Sequence, residues 1–379
     1  MPGSFCDLLT GKEGGAAPPL AQGSEVARLR RDLGAWYAAS RRDLPWRRTR
    51  DPWAIWVSEI MLQQTRVDTV VPYFERFMAR FPTPLALAEA PEDQVLAAWS
   101  GLGYYRRARM LHAGARAVVE RSSMPHDREG LLALPGIGRY TAGAIASIAF
   151  DEAVGLVDGN VARVFARLFA LDDDMRGVGM KLAEKLAEEL VPEERPGDWN
   201  QALMELGATV CTPRSPSCER CPVAASCRAR REGRVDELPV VREKAKPKPQ
   251  RVQALVAWTK DGRVLLARRR STGLFAGLWE PPALDGGEAA KDELLARFAL
   301  VAPARLAGRV THVLSHRRLT VDVHAGVLAR RPAGAKLPDA YETAGLFAEA
   351  DLVDLGVSTL ARKILASARP APRAARRSR

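Results

Sequence analysis

LPGIGRYTAGAIASIAFDEAVGLVDGNV, residues 134–161, decides how this chain is read. It opens on a Gly-x-Gly turn, Pro135-Gly136-Ile137-Gly138. Two glycines one apart let a backbone take positive φ and approach another group with no Cβ between. Ala144, Ile145, Ile148 and Ala149 then fall at helical spacing. The first amides of that helix would point into the turn, where an anion is favoured. Val157-Asp158-Gly159-Asn160 follows, an acid in a Gly-bearing turn ahead of the next helix. One short segment thus offers a phosphate seat at Gly136 and Gly138 and a carboxylate, Asp158, near it. A bare LPGxG is also a common connector between helices, so the reading needs the rest of the chain.

The 379 residues suffice for two domains with cores of their own. Hydrophobic content of 47% suits a soluble globular chain. No apolar run approaches the roughly 18 residues of a membrane span, so no membrane partner is expected. The N-terminal MPGSFCDLLTGKEGGAAPPL has no basic region followed by an apolar core. No secretion signal is therefore expected, and the compartment is read as cytoplasmic, on the nucleoid if the source is bacterial. A net charge of +12 suits a polyanionic partner, though it also serves solubility.

Residues 1–23, rich in Gly, Ala and Pro, are expected to be disordered. Ser24 is placed to cap a helix with Val26, Leu29, Leu33 and Trp36 on one face. After RRDLPWR (41–47), the run IWVSEIMLQQT sets Glu59 among apolar residues on both sides. A lone Glu on a helix ordinarily faces water, but these flanks favour burial. Helices are predicted over 66–80, 91–99 with Pro91 at the first position, and 106–121, then near 161–170, 180–190 and 198–210. GLGYYRRA (101–108) is a Gly-rich turn with aromatics that can stack on bases and cations that can hold phosphates. A plain turn with a packed tyrosine has the same composition. The alphabet is helical throughout, so 24–228 is read as an all-α domain.

Cys211, Cys218, Cys221 and Cys227 lie within the span 211–227. Such clustering reads as a metal site in a reducing compartment and not as a disulfide framework. Zinc and an iron–sulfur cluster both accept four Cys, and spacing does not choose between them. Cys6 stands apart and is read as an unligated thiol. Residues 229–250 form a basic, Pro-bearing stretch, read as a solvated linker. From 251 to 365 the alphabet changes. RVQALVAWT, RVLLARR and RRLTVDVHAGVL read as strands and EAAKDELLARFA as a helix, giving a smaller α+β domain. Residues 366–379 are read as a disordered basic tail.

RRDLPWR, SEIMLQQT, GLGYYRRA, LPGIGRYTAGAI, VDGNVARV, ELGATVC and the four-Cys loop, in this order, resemble the MutY family of adenine DNA glycosylases, within the helix-hairpin-helix superfamily. The second domain is similar to that family's C-terminal Nudix-like domain. The resemblance implies a [4Fe–4S] cluster on the four cysteines. It also implies base excision repair, by removal of adenine mispaired with 8-oxoguanine or guanine in double-stranded DNA, by a monomer. It places catalysis on Glu59 and Asp158, with Tyr140 and Asn160 positioning them. It puts DNA contacts at Arg47, Gln64, Leu102, Tyr104, Gly136 and Gly138, and lesion reading at Ser315 and His316, on a loop between two strands within 310–323.

The chemistry agrees with such a pair. Adenine is a poor leaving anion, so an acid must protonate it. The sugar becomes oxocarbenium-like, so a carboxylate must face it. Glu59 beside Ile60 and Met61 could have its pKa raised by burial and serve as the acid. Three departures matter. The lysine with which lyase relatives form a Schiff base is Tyr140 here, so that route to strand cleavage is not expected. GLWEPPALDGGEAAKDELLARF begins like a Nudix box but lacks the Arg-Glu-x-x-Glu-Glu run, so the second domain is read as a reader and not a hydrolase. The Phe of the family's Phe-Ser-His loop is Leu314. Rival readings are an endonuclease III type enzyme, a noncatalytic damage binder and a nucleotide pyrophosphate hydrolase. Tyr140 and the second domain, the Glu59–Asp158 pair, and the incomplete Nudix box disfavour them in turn.

Overall fold

The computed structural model describes residues 23–241, 247–330 and 337–368. The segment 1–22 with Cys6, part of the basic linker (242–246) and the tail from 369 lie outside the described residues. Packing divides the chain into two units. One comprises Met1–Met78, Thr83–Leu85 and Ala113–Glu243, the other Ala79–Pro82, Ala86–His112 and Lys244–Arg379.

Helix Pro52–Leu62 sets the centre of the first unit, which is helical. Every residue from Trp53 to Met61 is buried, as expected of a helix apolar on all sides. Pro52 stands at its first turn, and the Asp51 carboxylate accepts the Trp53 amide at 3.0 Å. This helix packs on Arg139–Phe150, which packs on Pro196–Thr209. Helix Pro196–Thr209 also meets Ser24–Ser40 and Gly159–Leu168. A glycine permits the last contact: a Cβ on Gly207 would stand 2.6 Å from the Cβ of Asn160. Helix Pro196–Thr209 therefore comes hard against the turn that carries Asp158.

Several local expectations are corrected. Ser24 does not cap its helix; Gly23 occupies the cap with no side-chain bond, because the helix begins one residue earlier than the cap reading requires. Pro91 likewise precedes helix Glu92–Ala98 and does not open it. Short helices Pro84–Ala88 and Arg128–Leu132 add to those predicted; five residues are too few to show a helical period.

The second unit is built on strands β1 (Lys248–Trp258), β2 (Val264–Arg269), β3 (Trp279–Glu280), β4 (Ala283–Asp285), β5 (Arg305–Val313), β6 (Arg317–Val327) and β7 (Tyr341–Phe347). They form one mixed sheet in the order β3-β2-β1-β6-β5, with β4 on β1 and β7 on β2. β1 and β6 run parallel; the other pairs are antiparallel. β1 begins inside the stretch expected to be linker, and helix Thr359–Ser367 enters the expected tail. Both segments are polar enough to hide their ordering. Along β1, Val252, Ala254 and Val256 enter one core and Leu255 and Ala257 another, the period of two of a strand covered on both faces. Helix Thr359–Ser367 covers the first face through Leu360, Ala361 and Ile364; helix Glu288–Ala296 covers the second through Leu294.

Residues 86–112 are helical in sequence yet pack within this unit. Asp93 pairs with Arg268 at 3.2 Å, and the Tyr105 hydroxyl donates to the Val357 carbonyl at 3.1 Å. Periodicity reports an element's own turn and not the surface it packs on.

Candidate active site

A pocket of about 700 Å³ opens in the helical unit, with Glu59, Tyr140, Asp158, Asn160, Met204 and Glu205 among its lining residues. Glu59 comes from helix Pro52–Leu62 and is 6% exposed. Its Oε2 accepts the Tyr140 hydroxyl at 2.6 Å. Burial is the main reason its carboxyl is pushed up to about 7; the Tyr140 bond opposes that and the charge on Asp158 adds to it. Tyr140 lies in the first turn of helix Arg139–Phe150, and its hydroxyl also touches Met204 Sδ at 3.1 Å. Burial and the neighbouring carboxylates raise the Tyr140 hydroxyl well above its ordinary value, so it stays a donor.

Asp158 caps helix Gly159–Leu168. Its Oδ1 accepts the amides of Asn160 at 2.9 Å and Val161 at 2.7 Å, and its Oδ2 accepts the Asn160 side-chain amide at 2.9 Å. Burial is the larger effect and leaves this carboxyl raised, while those three donors oppose it. Donors on both oxygens select the ionised form, which the positive end of the helix also favours. Asn160 is itself held by Arg163, whose Nη2 donates to Asn160 Oδ1 at 2.9 Å and to the Gly207 carbonyl at 2.7 Å. The same guanidinium donates from Nε to the Cys211 carbonyl at 2.8 Å. One arginine thus links the Asp158 turn to the start of the four-Cys loop.

The sequence reading missed a third carboxyl on the pocket. Glu205 is 1% exposed and accepts Arg42 at 2.7 Å through each oxygen and Arg47 Nη2 at 2.8 Å. Burial alone would push it up; the hydrogen bonds from Arg42 and Arg47 outweigh burial and hold it at about 2. Glu205 stands in ELGATVC, and its place between Met204 and Leu206 was the available signal. Arg47, expected to contact DNA, is engaged by Glu205, by the Arg42 carbonyl at 3.2 Å and by the Tyr37 ring at 5.6 Å.

Of the other expected DNA contacts, Gln64 is exposed at the pocket rim with φ +58°, and Gly136 turns with φ +82°. Gly138 departs from expectation. It takes an extended φ of −97° as the cap of helix Arg139–Phe150, because the turn needs only one left-handed residue. Its Cβ position faces open space. Leu102, Tyr104, Ser315 and His316 belong to the second unit. Leu102 is buried. Tyr104 is 51% exposed, and its hydroxyl lies 3.2 Å from Ser315 Oγ. Ser315 and His316 are exposed on the loop between β5 and β6.

The four loop cysteines form no disulfide and line one small cavity. Arg167 Nη1 approaches Cys211 Sγ at 3.4 Å, and burial followed by the neighbouring cysteines pushes the Cys221 thiol up to about 11. Four cysteines lining one cavity, with a guanidinium beside Cys211, are a donor set of the kind that ligates a metal group.

Residues 57–193 match the model of the HhH-GPD superfamily base excision DNA repair proteins. A solved thermostable thymine-DNA glycosylase, 29% identical, aligns over 56% of this chain and 99% of its own with a TM-score of 0.50. The adenine DNA glycosylase of Rattus norvegicus is 41% identical over 84% of this chain and 74% of its own length. That of Schizosaccharomyces pombe is 34% identical over 89% of each. This chain belongs to the adenine DNA glycosylase family. As a member it is a DNA glycosylase of base excision repair, and DNA is its partner. Residues 211–227 match the iron–sulfur binding domain of endonuclease III, which settles what spacing left open: Cys211, Cys218, Cys221 and Cys227 hold a [4Fe–4S] cluster. Residues 253–367 match the NUDIX domain, so the glycosylase carries a Nudix-like second domain. Among the described residues no helix is long and apolar enough to cross a membrane.

Proposed function

We propose that this glycosylase hydrolyses the N-glycosidic bond of adenine opposite 8-oxoguanine or guanine in duplex DNA, as a monomer and without a lyase step. The observation that supports this most is two carboxyls on one pocket with different partners: Glu59, pushed up to about 7, accepts one neutral hydroxyl, and Asp158 is held by three donors. Glu59 is the acid. The Tyr140 bond occupies its Oε2, leaving Oε1 to carry the proton that passes to a ring nitrogen of adenine as the C1′–N9 bond breaks. Asp158 stabilises the cationic sugar until water adds at C1′, giving free adenine and an abasic site. Asn160 fixes the Asp158 rotamer. Tyr140, a protonated donor, stands where a Schiff-base route needs an amine. The four cysteines hold the cluster, which braces a loop carrying Arg214 and Arg220 and takes no part in the bond breaking.

The turn at Gly136 and the open amide end at Gly138 suit a backbone phosphate. Gln64 and Tyr104, both exposed with positive φ, suit contact with a disturbed base stack. Ser315 and His316 offer donors and acceptors that can sense the N7 proton and C8 oxygen of 8-oxoguanine.

The test uses duplexes bearing adenine opposite 8-oxoguanine, adenine opposite guanine, and thymine glycol. Adenine loss with the strand intact until alkali is expected, and cleavage of thymine glycol or efficient borohydride trapping would count against the proposal. Ser315→Ala with His316→Ala should slow excision opposite 8-oxoguanine more than opposite guanine, by roughly fivefold to a hundredfold for two hydrogen bonds. Equal slowing on both would leave the loop as a general DNA contact.

A further inference from the structure

The turn that presents Tyr104 is held by one half-buried cation. Gly101 (φ +110°), Gly103 (φ +71°) and Tyr104 (φ +47°) all adopt left-handed backbone. For a tyrosine that conformation is strained and persists only where its surroundings impose it. The surroundings here are Trp99 and Arg107. Trp99 Nε1 donates to the Gly103 carbonyl at 3.2 Å. Arg107 Nη2 donates to the carbonyls of Leu102 at 3.1 Å and Gly103 at 3.3 Å. The Arg107 guanidinium carbon lies 5.5 Å from the Trp99 ring and 5.6 Å from the Tyr104 ring, within cation–π reach of both. The Arg107 amide closes the turn on the Tyr104 carbonyl at 2.8 Å. The outcome is an aromatic ring half out in solvent whose hydroxyl meets Ser315.

We infer that Arg107 is a positioning residue: stacked against Trp99 and Tyr104, it fixes the Tyr104 ring in the pose from which it unstacks bases and meets Ser315. This rests on the reading of Tyr104 as a base contact. A cation read as a phosphate holder in sequence instead works from inside. Burial supports this, lowering the Arg107 guanidinium to about 10, as for a group withdrawn from water. Lysine would keep the charge but lose the flat stack and the paired carbonyl bonds.

The experiment uses the full iron-loaded chain and duplexes with 2-aminopurine beside the mispair, whose fluorescence rises when a side chain unstacks it. Tyr104→Ala, Arg107→Met, Arg107→Lys and the double variant Tyr104→Ala/Arg107→Met are compared for that rise and for preference of mispaired over matched duplex. Arg107→Met should lose the fluorescence rise and on the order of tenfold in preference, with Arg107→Lys losing less. The double variant should be no worse than Tyr104→Ala alone, because both changes remove one device. Additive losses would assign Arg107 a merely structural role and overturn the inference. A normal fluorescence rise in Arg107→Met and Arg107→Lys, with Tyr104→Ala impaired, would overturn it alone. A silent Tyr104→Ala would remove the reading of Tyr104 together with it.

Discussion

Two glutamates line one pocket from different helices and are tuned in opposite directions. Glu59, on helix Pro52–Leu62, meets a neutral hydroxyl and faces the charge of Asp158, and its carboxyl rises to about 7. Glu205, on helix Pro196–Thr209, is also buried, yet two guanidinium groups hold it at about 2. Depth alone would have made both of them acids. The charge of the partner decides: a neutral donor leaves burial in control, and two cations overrule it. The pocket therefore offers a proton from one helix and a fixed anion, with its arginines, on the other.

The largest effects should come from changing Glu59 or Asp158. Glu59→Gln keeps shape and removes the proton, and should slow single-turnover adenine excision by about 10²-fold or more. Asp158→Asn should match it, since it removes the charge facing the sugar cation. DNA binding should survive in both, and wild-type rates in either would end the assignment of that residue.

Changing Glu205 should be felt in stability. Glu205→Gln leaves Arg47, with a side chain 11% exposed, without its anion, and should cost about 3 kcal/mol or more in denaturant unfolding. The sign with pH follows from the depressed carboxyl. Its contribution is present above the ordinary glutamate value of 4.5 and is lost as pH falls through about 2. The gap between wild type and variant should therefore narrow as pH falls from about 4.5 towards 2. A gap constant over that range would mean that the arginines do not hold Glu205 ionised.

A smaller change should sharpen the contrast. The Tyr140 hydroxyl donates to the ionised Glu59 and lowers its carboxyl. Tyr140→Phe should move the alkaline limb of the excision profile to higher pH, with a modest loss of rate. A limb moving to lower pH would show that Tyr140 stabilises the protonated form instead.

How much of this was legible in sequence depended on the distance between partners. Glu59 was readable because its apolar neighbours are adjacent, and Asp158 because its turn and cap lie within a few residues. The four cysteines were readable as a metal site from spacing, while the metal was not, since zinc and iron–sulfur ligation share it. For Glu205 the apolar neighbours hinted at burial, but its partners lie 163 and 158 residues away, so nothing local marks it as a paired anion. For the same reason the pairing of Arg47, expected as a DNA contact, with Glu205 was hidden. The packing of residues 86–112 with the sheet was hidden because amphipathic periodicity carries no address. In the Gly136–Gly138 turn, composition allowed positive φ at either glycine, and only Gly136 takes it.

The pH dependence of single-turnover adenine excision tests the central claim most directly. Wild type, measured from about pH 5 to about pH 9 on a duplex with adenine opposite 8-oxoguanine, should lose activity as pH rises through about 7, where Glu59 gives up its proton. Glu59→Gln should show low activity with no such limb. A wild-type profile that stays flat through pH 7, or the same limb persisting in Glu59→Gln, would contradict the assignment of Glu59 as the acid.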